Sequence, residues 1–460
     1  MFDRFRDRRS LKGSPTFKLM VMGGLVLLLL IPLSMVGSLI YERENRRNQA
    51  VHEVASLWGE AQTLAGPLLT VPFREALRES LADGKEKITV ITREAQFFPE
   101  TLHVEGQVRP EKRHRGIFEA VLYRADLEVT GTFRRPSFAE WRVAPENVQW
   151  NDARLSFGLP DLRGVRQAGD LVWQGRSLPL APGGAEPGLW SSGLRVAVPG
   201  LDREAGEVAT FRIHLVVDGS SSLHFLPVGK QTTVALRSPW PAPSFTGKFL
   251  PEAHTVRADG FTASWSIPYF GRSYPQQWRA DEVERVVPRG TLDLSSFGVD
   301  LFLPVDAYQK TERAQKYAIL FLLLTFLTFF VYEMWSPVAI HSVQYLLVGA
   351  ALCLFYLLLL SLSEHLAFGI AYGIAAVAIV GLITGYAYAI LEAKGRSLLL
   401  GAILTTLYGY LYVLLQVEDY ALLLGSLGLF LILAVMMFLT RRVNRAGSGM
   451  GGGERVEAVA

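Results

Sequence analysis

The feature that most constrains this chain is a block of five long apolar runs set almost end to end between Tyr317 and Thr440, with a sixth run near the N-terminus. About 20 residues at about 1.5 Å rise cross a hydrocarbon core of about 30 Å. The runs 19–40, 317–332 with flanks, 343–362, 367–391, 397–417 and 420–440 meet that length. Backbone N–H and C=O groups in lipid must be satisfied within the segment, so runs rich in Leu, Ile, Phe and Ala are helices there. The pattern predicts a membrane protein: an α-helical transmembrane bundle of six spans, with a large β-rich extracytoplasmic domain between spans 1 and 2. A soluble enzyme is excluded.

Basic residues near span ends are retained on the cytoplasmic side. The segment 1–18 holds Arg4, Arg6, Arg8, Arg9, Lys12 and Lys18, the tail holds Arg441, Arg442 and Arg445, and the turn 392–396 holds Lys394 and Arg396. The alternate turns 363–365 and 417–419 have neither Lys nor Arg. Both termini are therefore placed in the cytoplasm. Arg43, Arg46, Arg47, Lys310, Arg313 and Lys316 flank the large domain on its outer side, and long domains translocate largely regardless of such charge. The first run exceeds a usual signal-peptide core, and Val36-Gly37-Ser38 is a poor cleavage site, so it reads as an uncleaved anchor. The expected layout is 1–18 cytoplasmic, 19–40 the first span, 41–310 the periplasmic β-rich domain, 311–440 the five-helix bundle and 441–460 a cytoplasmic tail, Gly-rich at 447–453 and flexible.

The 46 Lys plus Arg against 43 Asp plus Glu leave no global field for nucleic acid. The lone Cys353 lies in the third span, so the outer domain holds together without a disulfide. Its length allows a sizeable core. Val51, Val54, Ala55 and Trp58 have helical spacing, which extends the first helix past the membrane. Alternation in Leu127 to Phe133, Leu155 to Leu159, Phe211 to Val217 and Phe261 to Trp265 predicts strands. A hairpin is expected where Gly219-Ser220-Ser221-Ser222 turns into Leu223 to Val228. The clusters 181–184 and 239–243 read as loops. The sum is a sandwich or barrel-like body. Val299, Leu301 and Leu303 form a last strand, after which Asp306 and Gln309 resemble a capping box opening a water-exposed helical stalk.

Several uncommon strings carry a resemblance to a known family. Thr311 to Leu320, Leu324-Thr325-Phe326, Phe329-Phe330, His341 to Val348, Phe355 to Leu360 with Ser363-Glu364-His365, and Tyr420 to Ser426 ending in Phe438 to Arg441 resemble the CreD family of inner-membrane proteins. In the outer domain, Gly66-Pro67-Leu68-Leu69, Pro243 to Pro251 and Gly260 to Trp265 are similar to the same family. The resemblance covers most of residues 15–441 and is loose over 164–200. It implies a Gram-negative inner-membrane protein linked to cell-envelope integrity and a two-component envelope-stress response, and it implies no catalytic or ligand residues.

The residues themselves show no phosphate loop, no nucleophile elbow and no His-Glu-x-x-His helix. The eight His are scattered, with none at ligand spacing. No catalytic, cofactor-binding or metal residue is therefore assigned, no cofactor is expected, and the chain is read as not an enzyme. Lys112-Arg113-His114-Arg115 offers positive charge to lipid headgroup or lipid A phosphates, against the plainer reading of a solvated turn. Glu364 and His365 read either as a pH-responsive pair or, preferably, as an interfacial helix cap. Glu333 and Gln344 are placed at the cytoplasmic interface, by snorkelling or by bonding each other. Gly369 with Gly373, Gly381 with Gly385, and Tyr408, Tyr410 and Tyr412 read as helix packing in preference to a dimer seam or binding groove. Spans three to six carry no charge near mid-membrane, which counts against an ion-coupled carrier. The preferred function is an interaction and anchor protein whose periplasmic domain engages an envelope protein or lipid. The alternative is a transporter or channel-like component for a lipidic or amphipathic substrate. The lipid bilayer is the one certain partner, nucleic acid is not one, and oligomeric state is left open.

Overall fold

The structure is a computed structural model describing residues 15–80, 86–198, 208–288, 290–301, 307–335, 340–391, 394–417 and 420–440. It divides into two compact units, residues 46–305 and the remainder of the chain. Asp306, Leu303 and the Gly-rich tail, on which three of the expectations above fall, lie outside the described residues.

Helix α1, Pro15–Trp58, runs from the helical unit into the first residues of the other. The strands follow in chain order: β1 Gln62–Ser80, β2 Glu86–Phe97, β3 Thr101–Arg115, β4 Phe118–Arg134, β5 Arg154–Gly158, β6 Val165–Ala168, β7 Leu171–Trp173, β8 Arg176–Leu178 and β9 Ala181–Pro182. Then come β10 Gly193–Ala197, β11 Val208–Ser220, β12 Ser222–Phe225, β13 Gln231–Ser238, β14 Pro243–Gly247, β15 Ala253–Arg257, β16 Gly260–Pro268, β17 Gln277–Arg279, the short helix α2 Val283–Val286 and β18 Phe297–Leu301.

One nine-stranded sheet has the order β14-β18-β12-β1-β5-β10-β9, with β2 bridging β1 to β17. The other has the order β15-β16-β13-β3-β4-β11-β7-β8, with β6 on β11. Period-two alternation explains why they stack: Ala209, Phe211, Ile213, Leu215 and Val217 of β11 are all buried, and Leu127 and Val129 of β4 lie on the same side. Rings close the gap between the sheets. Phe245 of β14 meets Phe261 and Trp265 of β16 at 5.7 and 5.8 Å, and Trp265 meets Phe297 of β18 at 5.8 Å. The body is thus a sandwich around one apolar core.

Two local expectations are corrected. The hairpin at Gly219–Ser222 is absent: Ser221 takes a positive φ of 62°, and β12 pairs with β18 and β1 rather than with β11, so the chain changes sheet there. Ala181–Pro182, read as loop, is a short edge strand on β10, where proline's missing N–H is tolerated.

In the helical unit α1 is joined by α3 Ala307–Lys316, α4 Ala318–Trp335, α5 Ser342–Ser363, α6 Phe368–Leu391, α7 Lys394–Gln416 and α8 Ala421–Thr440. By length and composition α1, α5, α6 and α7 are able to cross a membrane, and α3 with α4 adds a fifth candidate bent by 44°. The helix α3 is not a free stalk. Tyr308, Thr311 and Ala314 are buried, and Gln315 donates to the Leu33 carbonyl at 3.0 Å. Close approach of α5 to α1 occurs at Gly349, where a Cβ would overlap the Leu29 side chain.

Candidate functional site

The helix α1 ends against the β-rich body at Trp58, among several arginines and carboxylates. Gly59 and Gly164 both lie on the Asp218 carbonyl so closely that a Cβ on either would overlap it. Those glycines bring three segments together. The Trp58 indole N–H donates to the Tyr123 carbonyl at 3.4 Å. The guanidinium carbons of Arg166, Arg113 and Arg124 lie 5.2, 5.6 and 5.8 Å from its ring centroid, within cation–π range.

Beneath them the Asp218 side chain is fully buried. It accepts from Arg124 Nε at 2.7 Å and Nη2 at 3.1 Å, and from Arg166 Nε at 2.5 Å. Burial pushes the Asp218 carboxyl up, but the hydrogen bonds and charges of Arg124 and Arg166 outweigh it and hold the group below its ordinary value. Alongside, Asp161 accepts from the Arg163 side chain at 2.9 Å and from the backbone of Glu60 and Arg163. Burial again opposes and those partners prevail, so Asp161 also stays ionised to low pH. A pocket of about 490 Å³ opens beside Trp58, lined by Arg109, Pro110, Glu111, Arg113, Tyr123 and Arg124.

The Lys112–Arg115 run, whose plainer reading was a turn, is instead the end of β3 in register with β4; the turn falls at Gly116. Each of its side chains meets a carboxylate: Arg113 meets Glu111 at 2.8 Å, Lys112 and His114 share Glu119 at 3.3 and 3.1 Å, and Arg115 meets Glu53.

A second feature of the same unit is a polar groove of about 610 Å³ across the open face of the second sheet, bordered by Glu105, Gln107, Asp126, Glu128, His214 and Thr262. His214 bonds Asp126 at 2.7 Å, and His103 bonds Thr233 at 2.6 Å and Glu105 at 3.0 Å. Among the described residues no group of three or more His, Cys, Asp or Glu is arranged to hold a metal. Between the sheet strands and the loop that follows β9, Glu186 is buried and accepts from Ser156 at 2.7 Å and Gln96 at 2.9 Å. Burial raises its carboxyl above the ordinary value in spite of those donors and Arg154.

In the helical unit Glu364 and His365 do not bond each other among the described residues. Glu364 sits at the C-terminal end of α5, accepts from the Tyr308 hydroxyl at 3.1 Å and lies 3.8 Å from Arg43, while His365 is exposed. Glu333 and Gln344 are likewise separate. Glu333 gathers Lys18 at 2.7 Å, the Ile340 N–H at 2.9 Å and the Tyr345 hydroxyl at 3.3 Å, whereas Gln344 caps α5 by accepting from the His341 N–H at 3.0 Å. Sequence reasoning missed Lys18 as the counter-charge, since 315 positions separate the two.

The glycine pairs also behave differently from expectation. A Cβ at Gly373, Gly381 or Gly385 would meet nothing within 4 Å, and Gly369, Gly373, Gly381 and Gly409 instead line an apolar groove of about 610 Å³ on α6 and α7. Tyr408 is packed as expected and its carbonyl accepts from the Tyr372 hydroxyl at 2.6 Å, Tyr410 donates to the Leu424 carbonyl, and Tyr412 lies 5.2 Å from the Tyr372 ring.

Residues 14–446 match the family described as "Inner membrane protein CreD". A relative of that name from Escherichia coli (strain K12) is 34% identical over 439 residues, covering 94% of each chain. Among solved structures, an M1 zinc metallopeptidase from Deinococcus radiodurans aligns over 37% of this chain and 40% of its own, at 14% identity and a TM-score of 0.21. A two-domain M1 zinc metallopeptidase aligns over 37% and 41%, at 13% identity and a TM-score of 0.19. Likenesses at those scores carry no argument.

Proposed function

The chain belongs to the CreD family of inner membrane proteins, and from that premise we propose that it is an interaction and anchor protein of the cell envelope, acting through its β-rich unit. The family and the apolar helices make it a multi-pass protein of the inner membrane. In our reading it has six spans: α1, the bent α3–α4 pair, α5, α6, α7 and α8. The β-rich unit then lies between the first two, in the periplasm, with both termini in the cytoplasm. Its role is in envelope integrity or the envelope-stress response, without catalysis and without nucleic acid.

The observation that carries this reading is the polar groove on the second sheet. A sheet face that needed only solvation would scatter its charges, whereas Glu105, Asp126, Glu128 and His214 converge on one open concavity of ligand or peptide size. Site-specific photocrosslinking in living cells tests it. A probe at Gln107 or Thr262 yields a discrete adduct with an envelope component, and charge reversal at Asp126 and Glu128 abolishes both the adduct and the envelope phenotype. Adducts from neither position, with an unchanged phenotype, defeat the reading. Membrane-impermeant maleimide applied to intact spheroplasts labels a cysteine at position 107 if the topology is right.

A second reading, a transporter for a lipidic or amphipathic substrate, is favoured by the glycine-lined groove on α6 and α7. Its size and apolar wall suit an acyl chain. Filling it with Gly373→Leu and Gly381→Leu abolishes activity under that reading and leaves an interaction protein working.

A further inference from the structure

We propose that the pocket beside Trp58 binds a phosphate-bearing anion, held by Arg109, Arg113 and Arg124 against the indole. The inference deepens the reading of residues 46–305 as an interaction module by naming a ligand class for it.

The strand register carries the argument. Arg109 of β3 stands directly opposite Arg124 of β4, a like-charge cross-strand pair that destabilises a sheet unless something compensates. Asp218 stands on β11 opposite Arg124, one strand further from Arg109, and its bonds among the described residues come from Arg124 and Arg166. Glu111 answers Arg113. Among the described residues, Arg109 itself meets only the neutral Gln107 amide oxygen, at 3.1 Å. Arg109, Arg113 and Arg124 line the cavity of about 490 Å³ with Glu111, an excess of two positive charges, while Arg166 and Asp218, outside that lining, cancel.

A phosphomonoester carries about −1.5 to −2 charges and three acceptor oxygens near neutral pH. Guanidinium groups match that geometry with paired donors, and their charge is permanent. The neighbouring Lys112 and Arg115 are not part of the site: they do not line the pocket, and they pair with Glu119 and Glu53. The Trp58 ring and Pro110 give the pocket an apolar wall for the carbons of an ester. A cluster whose only task was to hold the end of α1 would be served by Arg124, Arg166 and Asp218, and Arg109 would then stand opposite Arg124 without a counter-charge among the described residues.

Full-length protein in phosphatidylcholine nanodiscs is titrated by calorimetry with inorganic phosphate in one arm and with water-soluble dihexanoyl phosphatidic acid in the other, dihexanoyl phosphatidylcholine serving as the zwitterionic control of zero net charge. Saturable binding in either arm, weakened at least tenfold in Arg109→Gln and falling with added salt, supports the site. Binding of the lipid alone assigns a headgroup, and binding of phosphate alone assigns a soluble phosphate. The stability of Arg109→Gln without ligand supplies an independent readout: its Tm equals or exceeds that of the wild type, because a repulsion is removed. No saturable binding in either arm, equal binding by Arg109→Gln, or a lowered Tm for that variant overturns the proposal. Photocrosslinking from the sheet groove is indifferent to all three results, so failure here is distinct from failure of the broader function.

Discussion

The two units apply the same hydrophobic effect to opposite solvents. In residues 46–305 large aromatics such as Phe297, Phe157 and Trp173 are wholly enclosed and the strands turn Glu, Arg and Thr outward. In the helical unit the outward positions are themselves apolar: Met20, Val377, Leu398 and Phe430 are each more than two-thirds exposed. Charges are inverted as well. Among the described residues the sandwich carries ion pairs across its surface and buries the Asp218 and Glu186 carboxylates, whereas Glu333 of the helical unit is enclosed and paired with Lys18. An exposed phenylalanine is therefore a statement about the neighbouring medium: water would penalise it, and lipid does not.

The sharpest way to break this contrast is to delete one ring from each unit. Phe297→Ala is expected to cost about 3–5 kcal/mol, since its cavity is closed on all sides. Phe430→Ala, at 69% exposure, is expected to cost under about 1 kcal/mol in a bilayer. Urea titration of the full-length protein in nanodiscs measures both, and equal losses would show that α8 is buried in a further interface.

Next in size, Asp218→Asn is expected to destabilise the sandwich by about 2–4 kcal/mol, because two guanidinium groups lose their shared counter-charge. The pH dependence carries the sign. Asp218 is held below its ordinary 3.8, so its contribution is fully present above that value and is lost as pH falls through the lower folded value. The variant should lose that share of acid sensitivity in an acid-unfolding titration.

Glu186 runs the other way. Its carboxyl is raised above the ordinary 4.5, so the folded state binds the proton more tightly and stability declines as pH rises through the window between 4.5 and the raised value. Glu186→Gln should remove that decline, and thermal melts across the window detect it as a flatter curve. The smallest effect is assigned to Glu364→Gln. The amide keeps an acceptor for Tyr308, and the 3.8 Å approach to a partly exposed Arg43 is worth under about 1 kcal/mol. A larger loss, or an altered envelope phenotype at unchanged stability, would restore the pH-responsive reading of this residue.

Much of this architecture is legible in the sequence because its signals are periodic or long. The apolar runs identify the helices, and alternation locates β4, β5, β11 and β16. What alternation does not encode is partner choice, so the β11–β12 boundary reads as a hairpin until the register shows β12 on β18. The site near Trp58 is partly legible: the basic run at Lys112–Arg115 draws attention to the right hairpin. Of its arginines only Arg113 lies in that run; Arg109 and Arg124 are 15 positions apart in the chain and become opposite neighbours only through pairing. The glycines at Gly373 and Gly381 carry a packing motif, yet a motif names small residues and not what lies across from them.

Sequence alone determined that lipid must be one solvent of this protein and water the other, because the length and hydropathy of a run are properties of the run itself. It also determined that the intervening region would be built of strands, since a period of two is local. Only the tertiary structure decided which charges are compensated. A carboxylate such as Asp218 neutralises whatever stands within a few ångströms, and that neighbourhood is assembled from α1, β4, β6 and β11, segments whose proximity no local pattern records.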